Sequence, residues 1–370
     1  MPELLVPGDA APWFHAPALG GNPKYAFNSV GGRWVLLFFM GSGADGRAHV
    51  ALDLLNSHRS LFDDHSACFF GVSCDPDDAR EGRIAPDTPG IRWLLDYDGA
   101  VSSAYGAIAG DRSGYRPHWL LLDPLLRVHA RASLENGDKL LDELRQRVGA
   151  TTADQPGAPV LIVPNVFTRT TCEKLIRLHE DGGAEESGFM REENGKTVRR
   201  FDPGHKRRRD HVITDEPLIA SLNSRIGRVL RPMIRRVFQF EATRIERWIV
   251  SCYDADDGGH FRAHRDNTTP GTAHRKFACS INLNSEEYDG GDLHFPEFGE
   301  RGYRPPTGGA LIFSCALLHR VEPVTRGKRY AFLPFFYDEE GARIRERNLG
   351  SVDMAGLMPT PTLFDTEQQG

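Results

Sequence analysis

"FRAHRDN", residues 261–267, is the stretch on which the reading of this chain turns. In an extended segment successive side chains alternate between faces, so His264 and Asp266 converge on one side while Arg265 leaves on the other. An imidazole and a carboxylate on one face suit a metal ion, but a lone His-x-Asp is common by chance. The pair gains meaning only with a third ligand and a fold that delivers it.

The surroundings supply such a fold. From about Arg247 the apolar residues recur with period two: "RWIVSCY", "FRAHRD", "KFACSINLN", "GGDLHFP", "GALIFSC", "HRVEPV" and "KRYAFLPFFYD" read as strands separated by Gly, Pro, Asn and Asp turns. Short strands at this spacing indicate an all-β sandwich or barrel with helices packed outside. In "KFACSINLN", Phe277, Cys279, Ile281 and Leu283 form an apolar face, while Ala278, Ser280 and Asn282 form a small, polar one that leaves room for a ligand. Upstream, Thr168 is placed to cap a helix over "TRTTCEKLIRLHED". The segment 215–238 carries Ile219, Leu222, Ile226, Leu230, Met233 and Val237 at helical spacing, and Pro232 is expected to divide it into two shorter helices.

A third ligand comes from "CALLHRVEPVTRGKRYAF" (315–332), which contains His319. Two histidines and one carboxylate, leaving coordination positions open, form the facial ligand set of non-haem Fe(II) oxygenases. Arg329 follows across an expected hairpin turn at Arg326–Gly327, on a neighbouring strand. A guanidinium there can grip a carboxylate through two parallel hydrogen bonds.

"CYDADDGGHFRAHRDN", "SINLNSEEYDGGDLHFP" and "GGALIFSCALLHRVEPVTRGKRYAF" resemble, in order and spacing, the Fe(II)- and 2-oxoglutarate-dependent oxygenases of the prolyl 4-hydroxylase type, over roughly residues 160 to 340. The resemblance implies a double-stranded β-helix, or jelly roll, with flanking helices. It implies that His264, Asp266 and His319 bind Fe(II), that Arg329 binds the distal carboxylate of 2-oxoglutarate, and that Tyr253 lines the co-substrate pocket. Asn282 sits where some relatives carry a second pocket tyrosine. The implied reaction consumes O2, converts 2-oxoglutarate to succinate and carbon dioxide, and draws on ascorbate as an accessory reductant. Halogenating relatives replace the carboxylate ligand; Asp266 is present here, which favours hydroxylation. The implied substrate is an unactivated carbon of an amino-acid residue in a peptide or protein, or of a small metabolite.

The N-terminal half has a different character. The apolar runs "RWVLLFFMG", "ACFFGVSCD" and "HWLLLD" alternate with helix-like stretches, the pattern of an α/β layer fold. "GDAAPWFHAP", "GGRWVLLFFMGSGADGRA", "FFGVSCD" and "YRPHWLLLDP" look like the motif order of peroxiredoxins and related thioredoxin-fold redoxins, over roughly residues 5 to 148. That resemblance implies a thiolate at the loop and helix start after the first core strand, where a helix N-terminus lowers the thiol pKa. Here the region reads "GSGADGRA" (41–48) and contains no cysteine. A non-catalytic scaffold, a substrate-recruiting module or a surface for homodimerisation is therefore expected. Pro117 occupies the place where thioredoxin folds often carry a cis-proline. Cys68 and Cys74 flank "FFGVS" and cannot pair while that strand is intact, because a disulfide needs Cα atoms within about 7 Å.

Composition bounds these readings. A chain of 370 residues is expected to hold two domains, with the boundary in "GATTADQPGAP" (149–159): a redoxin-like domain over 1–150, an oxygenase domain over 159–345 and a tail over 346–370. A net charge of -6 gives no reason to expect nucleic acid as a partner. Six cysteines without a CxxC pair, no signal-like start and a longest apolar run of strand size ("WVLLFFM") point to a cytoplasmic protein without a membrane partner. The run "FDPGHKRRRDH" (201–211) reads first as a solvated loop and second as a lid or a binding loop for an acidic substrate. His260 and His274 read as lying outside the ligand set, and Arg275 and Tyr288 as bracketing the pocket mouth. Two other classes stand beside the oxygenase: a thiol-based redox enzyme, opposed by the missing cysteine, and a non-catalytic iron or 2-oxoglutarate sensor, because a triad does not by itself establish turnover.

Overall fold

The apolar run Trp34–Gly41 forms the middle strand of a five-stranded sheet ordered Ile91–Leu95, Ala67–Ser73, Trp34–Gly41, His118–Leu122, Val128–Ser133. The first three strands run parallel and the last two antiparallel to their neighbours. Both faces are covered, which is why Trp34–Gly41, Ala67–Ser73 and His118–Leu122 are almost wholly apolar and buried, whereas the edge strand Val128–Ser133 is half-exposed. Leu36, Phe38 and Met40 pack with Ala48, Ala51 and Leu55 of the helix Gly46–Ser57 and with Leu140, Leu141 and Leu144 of the helix Gly137–Gly149. Val35, Leu37 and Phe39 turn to the other face, against Val101 and Tyr105. This is a thioredoxin-like α/β domain.

This computed structural model describes residues 4–108, 114–149, 157–352 and 362–363. The chain divides into two units, Met1–Pro156 with Pro296–Gly299, and Gly157–Phe295 with Glu300–Gly370. Residues 150–156 of the expected linker, and the expected tail at 353–361 and 364–370, lie outside the described residues.

In the first unit the place expected for a thiolate is filled by other groups. Asp45 caps the helix Gly46–Ser57 by accepting from the Arg47 N–H. The buried carboxylate of Asp78 accepts from the Gly43 N–H at 2.9 Å, from Ser73 Oγ at 2.7 Å and from Arg83 at 2.5 Å. One expectation fails here. The Arg116–Pro117 bond is trans, and the cis bond among the described residues is Thr88–Pro89. Arg116 donates its N–H to Ala107 O and its carbonyl accepts from the His118 ring, so the chain is held extended as it enters the strand His118–Leu122.

The second unit is built around two large sheets, with two further strand pairs, Phe189–Glu193 with Lys196–Arg200 and Asp289–Gly290 with Val324–Arg326. The larger runs Thr362–Leu363, Arg244–Glu246, Phe335–Tyr337, Phe277–Asn282, Lys328–Phe332, Ile249–Asp254, Arg209–Val212, Glu185–Glu186, with Ala310–Ser314 also pairing Phe277–Asn282 and carrying Leu161–Val163. The smaller runs Lys206–Arg207, His260–His264, His319–Val321, Leu293–His294, Gly302–Tyr303. From Ile249–Asp254 to Lys328–Phe332 the chain visits the larger and smaller sheets by turns: Ile249–Asp254, His260–His264, Phe277–Asn282, Leu293–His294, Ala310–Ser314, His319–Val321, Lys328–Phe332. That alternation is the winding of a double-stranded β-helix.

Helices cover the outer face of the larger sheet. Thr168 caps Arg169–Asp181 as expected, its hydroxyl accepting from the Thr171 N–H. The helix Glu216–Phe238 buries Leu218, Leu222, Ile226, Leu230 and Ile234 against Cys279, Ile281 and Leu283. It is continuous through Pro232, contrary to the expected break. Pro232 and Arg228, the residue whose carbonyl Pro232 leaves without a helical donor, are both on the exposed side, where water can satisfy it while the buried face keeps the helix continuous. Val237, assigned to the apolar face, is 49% exposed.

The expected hairpin at Arg326–Gly327 is instead a crossing. Val324–Arg326 pairs with Asp289–Gly290, whereas Lys328–Phe332 pairs with Ile249–Asp254. Gly327, at φ 72, makes the turn, and a Cβ there would lie 2.6 Å from the Glu287 carbonyl oxygen.

Candidate metal and co-substrate site

The strand His260–His264 ends at His264, so Asp266 lies in the turn that follows rather than in the same strand. Its backbone N–H donates to Cys315 O at 3.0 Å, which ties the turn to the segment leading into His319. His264 and His319 face each other across the pair His260–His264 and His319–Val321. The result is a group in which one ligand atom of each of His264, Asp266 and His319 lies within 4.8 Å of the others.

The hydrogen bonds set which ring nitrogens face the centre. His264 Nδ1 is 2.8 Å from Arg262 O, and His319 Nδ1 is 3.1 Å from Leu317 O. A carbonyl only accepts, so each Nδ1 carries the proton and each Nε2 keeps its lone pair. Those Nε2 atoms lie 3.6 Å (His264) and 3.4 Å (His319) from the two Asp266 carboxylate oxygens. Orientation of ligating imidazoles by carbonyls is the usual support of a metal site. Burial, then His319, push the His264 pKa down to about 4, keeping the ring neutral. Burial pushes the Asp266 carboxyl up, but His319 and His264 outweigh it and hold the group well below the ordinary carboxylate range. The Phe261 ring stacks on His264 at 3.5 Å, and Phe313 meets His319 edge-on at 4.6 Å, so apolar walls flank the donors.

Arg329 comes from the larger sheet and is 2% exposed. One Nη donates to Ser280 Oγ at 2.9 Å and to Asn282 Oδ1 at 3.2 Å. Its Nε and other Nη have no hydrogen-bond partner among the described residues. A buried guanidinium with two open N–H groups is expensive unless a carboxylate completes it. These residues fit Fe(II) and 2-oxoglutarate: two oriented imidazoles and the Asp266 carboxylate for the metal, and guanidinium nitrogens of Arg329 left open for the distal carboxylate.

The remaining expected residues fall around this fork. Tyr253, 1% exposed, pairs with Arg329 across strands, with the guanidinium 5.1 Å over its ring. Asn282 donates to Tyr288 Oη at 3.0 Å and its Oδ1 accepts from Arg329, so it links the two side chains. Arg275 and Tyr288 were expected at the pocket mouth; both are buried, at 6% and 1% exposed. Arg275 donates to Glu246 at 2.7 Å, and Tyr288 lies beneath Arg304, because each is packed by a charged neighbour rather than by solvent. His260 bonds Gly258 O and His274 bonds Glu246, and neither joins the triad.

The basic run 201–211 is the largest departure from expectation. Residues 201–204 are the exposed loop expected, but from residue 206 the run enters the strands Lys206–Arg207 and Arg209–Val212, and Lys206 and Arg208 are buried at 5% and 7%, while Arg207 and Arg209 are exposed. The signal was in the sequence, since Lys206, Arg208 and Asp210 share one parity of an extended segment.

Residues 248–337 match the model of the 2OG-Fe(II) oxygenase superfamily. A PKHD-type hydroxylase of Synechococcus sp. (strain JA-2-3B'a(2-13)) is 37% identical over 89 residues, covering 22% of this chain and 39% of that protein. The chain thus spans well under half the length of that relative. Among solved structures, a Pseudomonas putida prolyl-4-hydroxylase overlays with TM-score 0.37 at 15% identity, over 51% of this chain and 95% of its own. A Xanthomonas campestris bacterioferritin comigratory protein overlays with TM-score 0.32 at 20% identity, over 36% of this chain and 92% of its own. The sequence match and the His–Asp–His group, on strands wound as a double-stranded β-helix, define a 2OG-Fe(II) oxygenase domain. The chain carries this domain together with an N-terminal thioredoxin-like one.

Proposed function

We propose that this chain is a 2-oxoglutarate-dependent dioxygenase that hydroxylates an unactivated carbon of an amino-acid residue in a peptide or protein, or of a small metabolite, releasing succinate and carbon dioxide. The observation that carries the reading is the pairing of two sites: imidazole Nε2 atoms converging on Asp266, and the open N–H groups of Arg329. Bound Fe(II) supplies the oxygen-activating chemistry. His264, Asp266 and His319 would hold it, leaving positions for co-substrate and O2. Arg329, fixed by Ser280 and Asn282 and backed by the Tyr253 ring, orients 2-oxoglutarate through its distal carboxylate. Phe261, Phe295 and Phe313 keep water from the reacting side. The N-terminal domain is proposed as a non-catalytic interaction module.

The test is succinate formation from 2-oxoglutarate by anaerobically Fe(II)-loaded protein after oxygen is admitted, with peptides and amino acids as candidate substrates. Succinate above the metal-free control, lost in His264→Ala and Arg329→Ala, is expected. Iron and 2-oxoglutarate binding without turnover on any candidate would favour the sensor reading instead.

A further inference from the structure

Beside the metal donors lies a cluster with too much positive charge. Lys206, Arg208 and Arg247 share the carboxylate of Asp210, which pairs Arg208 at 2.7 Å and Arg247 at 3.8 Å, while the next carboxylates, Asp266 and Glu246, serve the histidines of the metal group and Arg275. Lys206 is left with neutral acceptors: its Nζ donates to Ser187 Oγ and to Gly188 O, both at 2.7 Å, and it makes no ion pair among the described residues. Arg208 donates to Ser187 Oγ at 3.1 Å and to Tyr253 Oη at 3.4 Å, and its Nε has no hydrogen-bond partner among the described residues. The cluster is also close to the chemistry. Lys206 Nζ sits 4.8 Å over the Phe261 ring, which also stacks on His264 and meets His205 edge-on.

We propose that Lys206, backed by Arg208, is the recognition point for an oxyanion of the substrate, a carboxylate or a phosphate, held one aromatic ring away from the metal ligand His264. The inference rests on the oxygenase reading above. In that reading both carboxylates of 2-oxoglutarate are already assigned, the distal one to Arg329 and the other to the metal, so the excess cation is left for the substrate. A buried ammonium with no ion pair of its own is strongly disfavoured, and burial, then Arg208 beside it, push the Lys206 pKa well down despite Asp210 and Asp266. An arriving anion reverses that imbalance through charge-assisted bonds. A purely structural role does not require the charge, because a neutral donor would serve Ser187 and Gly188 equally well.

The test uses the full chain, free of metal and 2-oxoglutarate, titrated with inorganic phosphate or with acetate against sodium chloride at matched ionic strength. A saturable rise in melting temperature beyond that in chloride is expected with at least one probe, and the larger response separates phosphate from carboxylate as the preferred group. The rise should fall by at least half in Lys206→Gln, survive in Lys206→Arg, and survive in Arg329→Gln. No rise beyond chloride, an equal rise in Lys206→Gln, or a loss that follows Arg329 alone would overturn the proposal. If Lys206→Gln does not fold, Lys206→Met replaces it, since exchanging a buried ion for an apolar side chain is often neutral for stability. Because metal is absent, failure of iron loading or of succinate formation would sink the oxygenase reading while leaving this measurement intact.

Discussion

Tyr253 and Arg329 stand directly opposite each other on antiparallel strands, and the guanidinium lies 5.1 Å over the tyrosine ring. Ser280 and Asn282 hold one end of that guanidinium while its Nε and other Nη stay open. Arg329→Gln is therefore expected to raise the 2-oxoglutarate concentration needed for half-maximal succinate formation by about ten- to a hundredfold, the worth of a charged hydrogen bond of about 1.5–3 kcal/mol. Ser280→Ala should shift it less, because Asn282 still anchors the fork. Steady-state titration of 2-oxoglutarate checks both, and an unchanged requirement in Arg329→Gln would remove this residue from the co-substrate site.

Iron content should follow the triad. His264→Ala, Asp266→Ala and His319→Ala are each expected to lose stoichiometric Fe(II) and the visible absorption of the Fe(II)–2-oxoglutarate chelate, with the far-ultraviolet circular dichroism unchanged. A chelator should abolish both signals in the unaltered protein, and Fe(II) should restore them. Full iron loading in any of the three variants would remove that residue from the ligand set.

Acid should weaken the metal-free protein through His264. Its pKa is about 4 when folded against an ordinary 6.5, so between these values the unfolded chain binds a proton that the folded one does not. Stability in this window falls as pH falls, by up to about 1.4 kcal/mol per unit. Urea unfolding between pH 7 and 4 should show a shallower pH slope in His264→Ala than in the unaltered protein. Equal slopes would show that another group dominates.

Glu246 is 0% exposed and accepts from His274 at 2.5 Å and from Arg275 at 2.7 Å. Burial pushes its carboxyl up, but Arg275 and His274 outweigh this and hold it well below its ordinary 4.5. Glu246→Gln removes the charge that balances Arg275, and a loss of about 3–5 kcal/mol is expected at pH 7. A depressed carboxyl pKa stabilises above the unfolded value and loses that contribution as pH falls toward the folded one, so the gap between the two proteins should narrow below pH 4.5. A gap that is constant with pH would assign the loss to packing rather than charge.

The N-terminal domain should show no thiol peroxidase activity. Cys74 is half-buried, with Sγ 3.3 Å from Ser102 Oγ, and burial pushes its pKa up to about 11. Cys68 is raised to about 12 by burial. Little thiolate exists at neutral pH, so alkylation should be slow and Cys74→Ser should leave peroxide consumption at background. Rapid, Cys74-dependent peroxide consumption would reverse this assignment.

The sequence by itself determined the local facts. Period-two alternation located the strands around His264, Phe277, Ala310 and His319, because side-chain direction in a strand follows from position alone. The group of His264, Asp266 and His319, with Arg329 near it, was legible as a candidate because these residue types in this order leave few other chemistries. The apolar parity of Cys279, Ile281 and Leu283 correctly named the face that packs on the helix Glu216–Phe238. Only the tertiary structure decided what long-range packing controls. Pro232 stays inside a helix because the far face of that helix is buried over its whole length. Asp266 reaches the histidines from a turn held by Cys315, and Gly327 carries the chain to the other sheet rather than around a hairpin. Lys206 and Arg208 are buried because Ser187, Gly188 and Asp210, near and far in the chain, supply their partners. A run of charge looks solvated until the groups that satisfy it are seen, and those groups are set by the fold rather than by the run.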